Sequence, residues 1–211
     1  MFDLDRTLLP ETTAERIFIR HLVRERVLGI SAAIRTGQYA LRTGLRNAVM
    51  KIRADRPYLA GLHDAALWLH GRTCAREGIL PALSDTGIRR INEHRESGHE
   101  IVLLSGSLPY VVEPIAENLG VSNVICSHLD VQRQRLTGRL SGLHPYGEAK
   151  ATLMRAMAER HGIELDVSYC YADHHTDDLL LEMFGNPVCV NPSEKLRKTA
   201  RLRDWRVEVF D

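Results

Sequence analysis

The sequence predicts an α/β fold, a doubly wound and mostly parallel sheet interrupted near its start by a helical insert. Beyond Pro81, short apolar runs alternate with amphipathic helical patterns, as in strands buried on both faces and joined by helical crossovers. Before Pro81, helical spacing is almost unbroken and the charge is lopsided. From Arg16 to Arg76 there are twelve Lys/Arg against three acids, in a chain of net charge +1. At 211 residues there is room for one such sheet and a small insert.

The elements follow in order. Thr12 or Thr13 can cap a first helix that carries Ile17, His21, Leu22 and Leu28 at helical spacing. Gly29 and Ser31 mark a break and a new start, after which Ile34, Leu41, Leu45, Val49 and Ile52 continue the spacing. Asp55-Arg56-Pro57 opens a third stretch through Ala65, Leu67 and Leu69. These roughly 70 helical residues predict a cap over 11–81, with a core made of 1–10 and 82–211. Within the core, strands are expected at 101–104, 123–126, 167–171 and 187–190. Helices are expected over 86–96, 109–119, 148–161 and 177–184, with a last helix after the turn at Asn191-Pro192. Thr137-Gly138 predicts a small hairpin across 129–140. Short right-handed crossovers make this a Rossmann-like sheet.

Composition removes several functions. With 28 Lys+Arg against 27 Asp+Glu, net charge gives no reason to expect nucleic acid as a partner. No apolar run reaches the ~18 residues of a membrane span, and Met1-Phe-Asp-Leu-Asp5 lacks the features of a signal peptide, so a cytoplasmic protein is expected. Cys74, Cys126, Cys170 and Cys189 contain no CxxC pair and read as reduced core residues. The remaining histidines, His21, His63, His70, His94, His99, His128, His144 and His161, show no metal-ligand spacing and read as surface or satisfied groups.

In such sheets ligands bind beyond the carboxyl ends of the strands, so the polar residues after each apolar run matter most. Asp3 and Asp5 follow Phe2; Ser105-Gly106-Ser107 follows Leu104; Gly147-Glu-Ala-Lys150 opens a helix; and Asp173-His174-His175-Thr176-Asp177 follows Tyr171-Ala172. Phosphoryl transfer through an aspartyl-phosphate needs this set. A carboxylate nucleophile divides hydrolysis into two displacements. A hard cation on carboxylate oxygens cancels repulsion between nucleophile and substrate. A lysine, a hydroxyl and backbone N–H groups hold the transferring oxygens.

These motifs, in this order and over nearly the whole chain, resemble the haloacid dehalogenase (HAD) superfamily, in the branch similar to phosphoserine phosphatase with a helical cap. Asp3-Leu-Asp5-Arg-Thr7 resembles its DxDxT motif, Leu104-Ser105-Gly106-Ser107 its second motif, Lys150 its lysine, and Asp173 to Asp177 its acidic motif. The resemblance implies Asp3 as nucleophile and Asp5 as general acid/base. It implies Thr7, Ser105, Gly106 and Lys150 on the phosphate, and Mg2+ held by Asp3, the Asp5 carbonyl and Asp173, with Asp177 as ligand or orienter. The implied activity is hydrolysis of a small phosphorylated metabolite, with phosphotransfer or mere binding of a phosphorylated ligand as alternatives on the same fold. A signalling receiver domain uses similar groups, but its acceptor lies mid-chain, whereas here the aspartate pair comes first.

Departures from the family pattern raise further candidates. Arg6 stands where Gly or Asn is common, and His174 and His175 stand where small or polar residues are; Arg6, Glu11 and His174 are candidate substrate contacts. Only Met1 and Phe2 precede Asp3, which predicts a weakly anchored first strand, since strands usually run to about five residues. The basic insert reads as a solvated helix face or as a lure for anionic substrates; its stretch from Ile34 to Ile52 also admits contact with an anionic membrane.

Overall fold

The computed structural model describes residues 1–211, leaving aside the side chains of 45–48. In chain order its strands are β1 (Phe2–Asp3), β2 (Val102–Leu104), β3 (Asn123–Ile125), β4 (His128–Gln132), β5 (Arg135–Ser141), β6 (Tyr169–Ala172), β7 (Asn186–Val190) and β8 (Arg206–Glu208). Six of them form one sheet in the order β3-β2-β1-β6-β7-β8, every neighbouring pair parallel, while β4 and β5 make the expected antiparallel hairpin.

Alternation along the strands divides the core in two. Phe2, Leu103, Tyr171, Val188 and Val190 face one buried cluster, and Val102, Leu104, Cys170, Ala172 and Cys189 face the other. The first is covered by α5 (Asp85–Glu96) and α6 (Pro109–Asn118), the second by α7 (Glu148–His161), α8 (Asp178–Leu181) and α9 (Glu194–Leu202). All four cysteines are buried and free, in keeping with their reading as reduced core residues.

The segment between β1 and α5 is helical: α1 (Ala14–Arg24), α2 (Ile30–Thr43), α3 (Leu45–Asp55) and α4 (Asp64–Cys74). Thr13 caps α1, its Oγ1 accepting from the Arg16 N–H at 3.2 Å. The helix expected to run on from Ile34 to Ile52 is broken at Gly44, which takes a left-handed φ of 78°. The third stretch begins as a short turn at Pro57–Leu59, and α4 starts only at Asp64. The helix expected over 177–184 shrinks to α8, and β8 had no matching expectation.

The expectation of a loose first strand is corrected. Although β1 has two residues, it pairs with both neighbours, Phe2 opposite Leu103 and Tyr171, Asp3 opposite Leu104. The Met1 ammonium donates to the Tyr169 carbonyl at 2.7 Å, and the Phe2 ring stacks on Tyr171 at 4.3 Å between centroids. The hairpin is tied to the helical segment: the Gly61 N–H donates to Leu136 O, the Leu136 N–H to Leu62 O, and the Leu140 N–H to Asp55 Oδ1.

Candidate active site

The carboxyl ends of β1, β2 and β6 lie side by side at the centre of the sheet, and each delivers a polar residue to one place. Asp3 ends β1, Ser105 follows β2 and Asp173 follows β6. The lysine arrives from the first turn of α7. Gly147 caps that helix at φ 57° and ψ −132°, backbone that side-chain-bearing residues seldom adopt. The chain can thus turn sharply and aim Lys150 inward. Lys150 Nζ lies 3.0 Å from Asp3 Oδ1 and 2.9 Å from Asp177 Oδ2.

Asp3, Asp173, Asp177 and Lys150 are all buried. Burial raises the Asp3 carboxyl well above its ordinary range, opposed by Lys150 and reinforced by Asp177, Asp173 and Asp5. Burial likewise pushes Asp173 up to about 6, with Lys150 opposing it. Burial acts to lower Lys150, but Asp3 and Asp177 outweigh it and hold the ammonium above its usual value.

Three buried carboxylates facing one ammonium leave excess negative charge, which a low-polarity interior tolerates only with a further counter-charge. Carboxylate oxygens of Asp3, Asp173 and Asp177 approach within 4.8 Å of one another, and Asp177 Oδ1 is buried with no hydrogen-bond partner. An all-oxygen anionic set of this kind fits a hard divalent cation such as Mg2+.

Asp5 points elsewhere. Its Oδ1 accepts from the Ala14 N–H at 2.7 Å, at the start of α1, and its Oδ2 accepts from the hydroxyls of Ser105 (2.8 Å) and Ser107 (2.9 Å). Burial raises its pKa while these three donors pull it down. Two neighbouring carboxylates thus have different surroundings, one beside an ammonium and the other among neutral donors, a separation that suits nucleophile and acid/base duties.

The other expected residues are placed as follows. Thr7 is fully buried, its Oγ1 without a partner. Gly106 lies under the 142–147 loop; a Cβ there would come within 3.2 Å of His144 Cε1 and 3.3 Å of the Pro145 carbonyl. Arg6 is exposed, with a left-handed φ of 66° in the turn closed by its N–H on Leu9 O. Glu11 is exposed. His174 Nδ1 is 3.0 Å from Thr176 Oγ1, and burial, then the charge of His175, lowers its pKa.

Sequence reasoning missed a second polar network. Arg56 is buried and donates from Nε and Nη2 to both carboxylate oxygens of Glu15 at 2.9 Å, from Nη1 to Ala54 O, and from Nη2 to Gly106 O at 2.7 Å. Tyr58 also donates to Glu15. Ser127 donates to the same Gly106 carbonyl at 2.8 Å and contacts His144 Nδ1 at 2.7 Å. The visible signal was an unmatched Glu at the start of a strongly basic insert; its partner forty-one positions on could not be read from spacing.

Residues 1–182 match the family model of the haloacid dehalogenase-like hydrolases. The chain belongs to that family. Among relatives of the HAD chain, a phosphoserine phosphatase of Mycobacterium tuberculosis is 27% identical, over 99% of this chain and 70% of its own length. A histidinol-phosphatase of Neisseria meningitidis is 25% identical, over 100% and 97%. An inhibition of morphological differentiation protein of Streptomyces azureus is 36% identical over 63% of this chain, which spans about half, 48%, of that relative. A solved Bordetella pertussis protein of unknown function is 27% identical, with TM-score 0.81 and coverage of 98% and 95%. A substrate-bound phosphoserine phosphatase complex shares the fold at 22% identity, TM-score 0.65, covering 100% and 92%. The HAD family, its α/β fold and the hydrolase class agree with the sequence reading, and phosphatase names recur among the relatives.

Proposed function

We propose that the chain is a phosphomonoesterase that works through an aspartyl-phosphate on Asp3. The observation that carries this reading is the division of labour at the end of β1, with Asp3 beside Lys150 and Asp5 held by Ala14, Ser105 and Ser107. A carboxylate oxygen of Asp3 attacks phosphorus, and the ester P–O bond breaks as the new one forms. Asp5 gives its proton to the leaving alkoxide, then takes one from the water that attacks the phosphorylated aspartate, releasing phosphate and restoring Asp3. Lys150 offsets charge on the transferring oxygens, while Ser105, Thr7 and the Gly106 backbone position them. Asp3, Asp173 and Asp177, with the Asp5 carbonyl, would hold Mg2+, which when bound supplies charge neutralisation between nucleophile and phosphate.

Residues 11–81 act in this reading as a cap over the site, hinged near Arg6, with Glu11 and His174 as substrate contacts. Relatives named for phosphoserine and for histidinol phosphate suggest phosphate esters of 2-amino alcohols as the first substrates to test. The experiment compares hydrolysis of p-nitrophenyl phosphate by wild type and Asp3→Asn, with Mg2+ and with chelator, counting both products. Mg2+-dependent turnover lost in the variant, with phosphate equal to nitrophenol, supports the reading. Turnover retained in Asp3→Asn refutes it, and phosphate short of nitrophenol in the presence of an added alcohol moves the activity to phosphotransfer.

A further inference from the structure

The helix α2 is turned inside out. Its inner side carries Ala32, Thr36, Tyr39 and Thr43, the Tyr39 hydroxyl donating to Asp55 and the Thr36 hydroxyl to Ala32 O. Its aliphatic residues face water instead: Ile30 is 82% exposed, Ile34 54% and Leu41 74%. Positions 30, 34 and 41 fall on one stripe of a 3.6-residue helix, so this is a face and not scatter. Just beyond Gly44, α3 adds exposed Val49 and Met50. Of the fifteen large hydrophobics exposed among the described residues, these five lie within twenty-one positions, a density that marks an interaction surface.

The charge around the stripe selects the occupant. From Ile30 to Arg53 the sequence has five basic residues, Arg35, Arg42, Arg46, Lys51 and Arg53, and no acid. The next acid, Asp55, is used internally by Tyr39 and the Leu140 N–H. Arg42, Lys51 and Arg53 are exposed. A second copy meeting this face through a two-fold axis would set these cations against themselves. A groove on a partner protein reads anchors at successive turns, whereas here the turn between Ile34 and Leu41 presents Gly37 and Gln38. A lipid surface needs no continuous row of knobs. It takes isolated aliphatic side chains below the headgroups while long cationic side chains stay at headgroup level.

We propose that the α2–α3 hairpin docks on an anionic phospholipid membrane, inserting Ile30, Ile34 and Leu41 and laying Arg42, Lys51 and Arg53 against the headgroups. Arg56, directly after α3, bonds Gly106 at the candidate active site, so docking places that site close to the lipid surface. The inference holds whether or not Asp3 is a nucleophile, and its test is independent of turnover.

The test is sedimentation of the full chain with vesicles of equimolar phosphatidylglycerol and phosphatidylcholine, and with phosphatidylcholine alone. Wild type is expected to bind the anionic vesicles selectively, and less as salt rises. Ile34→Glu/Leu41→Glu and Arg42→Glu/Lys51→Glu are each expected to weaken binding, the charge reversal by about thirtyfold or more. Circular dichroism and p-nitrophenyl phosphate hydrolysis should match wild type in both, since the changes sit on an exposed face. Failure to bind anionic vesicles, or binding undiminished in both variants, overturns the proposal. Dimers of wild type that both variants dissolve, without vesicle binding, assign the face to a second copy.

Discussion

Arg56 reaches from the end of α3 to the carbonyl of Gly106 across 2.7 Å, so a residue of the helical segment holds the peptide that follows Ser105. The same guanidinium grips both oxygens of Glu15, near the start of α1, making one ion pair the tie between two helices and the loop that follows β2. Removing one partner of a buried pair leaves the other uncompensated. Arg56→Ala is expected to cost about 3 to 5 kcal/mol in urea unfolding. Arg56→Lys retains charge but not the planar fork, and should recover only part of that stability. Wild-type stability in Arg56→Ala would remove the tie from the account.

Lys150 is the ammonium among the buried carboxylates of Asp3, Asp173 and Asp177. In Lys150→Met, turnover is expected to fall on the order of 10²- to 10³-fold, as when one charge-stabilising donor is removed. Stability should change with a definite sign. Without the ammonium, the Asp3 and Asp173 carboxyls, already raised by burial, rise further above their unfolded values, so the penalty is small in acid and grows as pH rises. Metal-free melting of variant and wild type at several pH values checks this, and a gap that narrows toward neutral pH contradicts it.

Burial, followed by the Met1 ammonium and His99, pushes the His94 imidazole down to about 4. Its Nε2 is 2.8 Å from the Tyr171 hydroxyl, beneath the ring stack that anchors Phe2. The folded value lies below the ordinary ~6.5, so the unfolded chain binds more protons in between. Stability from neutral His94 is therefore complete above about pH 6.5 and is lost as pH falls toward about 4. His94→Asn should be less stable than wild type at neutral pH, with the difference shrinking on acidification. A constant difference in melting temperature would show that His94 does not titrate in this window.

The sequence was most legible where a local rule and the fold agree. Strand runs such as those ending at Leu104 and Val190 are apolar on both faces because the parallel sheet is covered on both, and they appear within a residue or two of their expected positions. Asp3, Ser105, Lys150 and Asp173 were legible because strand ends and one helix start deliver them. Two kinds of feature were hidden. Gly44 was read through because helical spacing continues on either side of it. Arg56 and Glu15 were hidden because their meeting is a tertiary event between residues that each look like ordinary surface charge.

Phe2 illustrates a third case, a short strand whose strength lies in its neighbours. Its ring is 1% exposed and stacked on Tyr171. Phe2→Ala is expected to destabilise the chain by about 3 to 5 kcal/mol, and Phe2→Leu by much less. Urea midpoints of the two variants decide this. Equal, small losses would mean that β1 is held by its backbone pairing alone.

The most direct test of the central claim is to trap the aspartyl-phosphate. The chain, supplied with Mg2+ and a rapidly hydrolysed phosphate ester, is quenched during turnover with borohydride, which reduces an acyl phosphate to the alcohol, and its N-terminal peptide is sequenced by mass spectrometry. The account predicts homoserine at position 3 and unmodified aspartate at position 5, in a reaction that needs the ester. Continued hydrolysis with Asp3 intact, or reduction at another carboxylate, would contradict it.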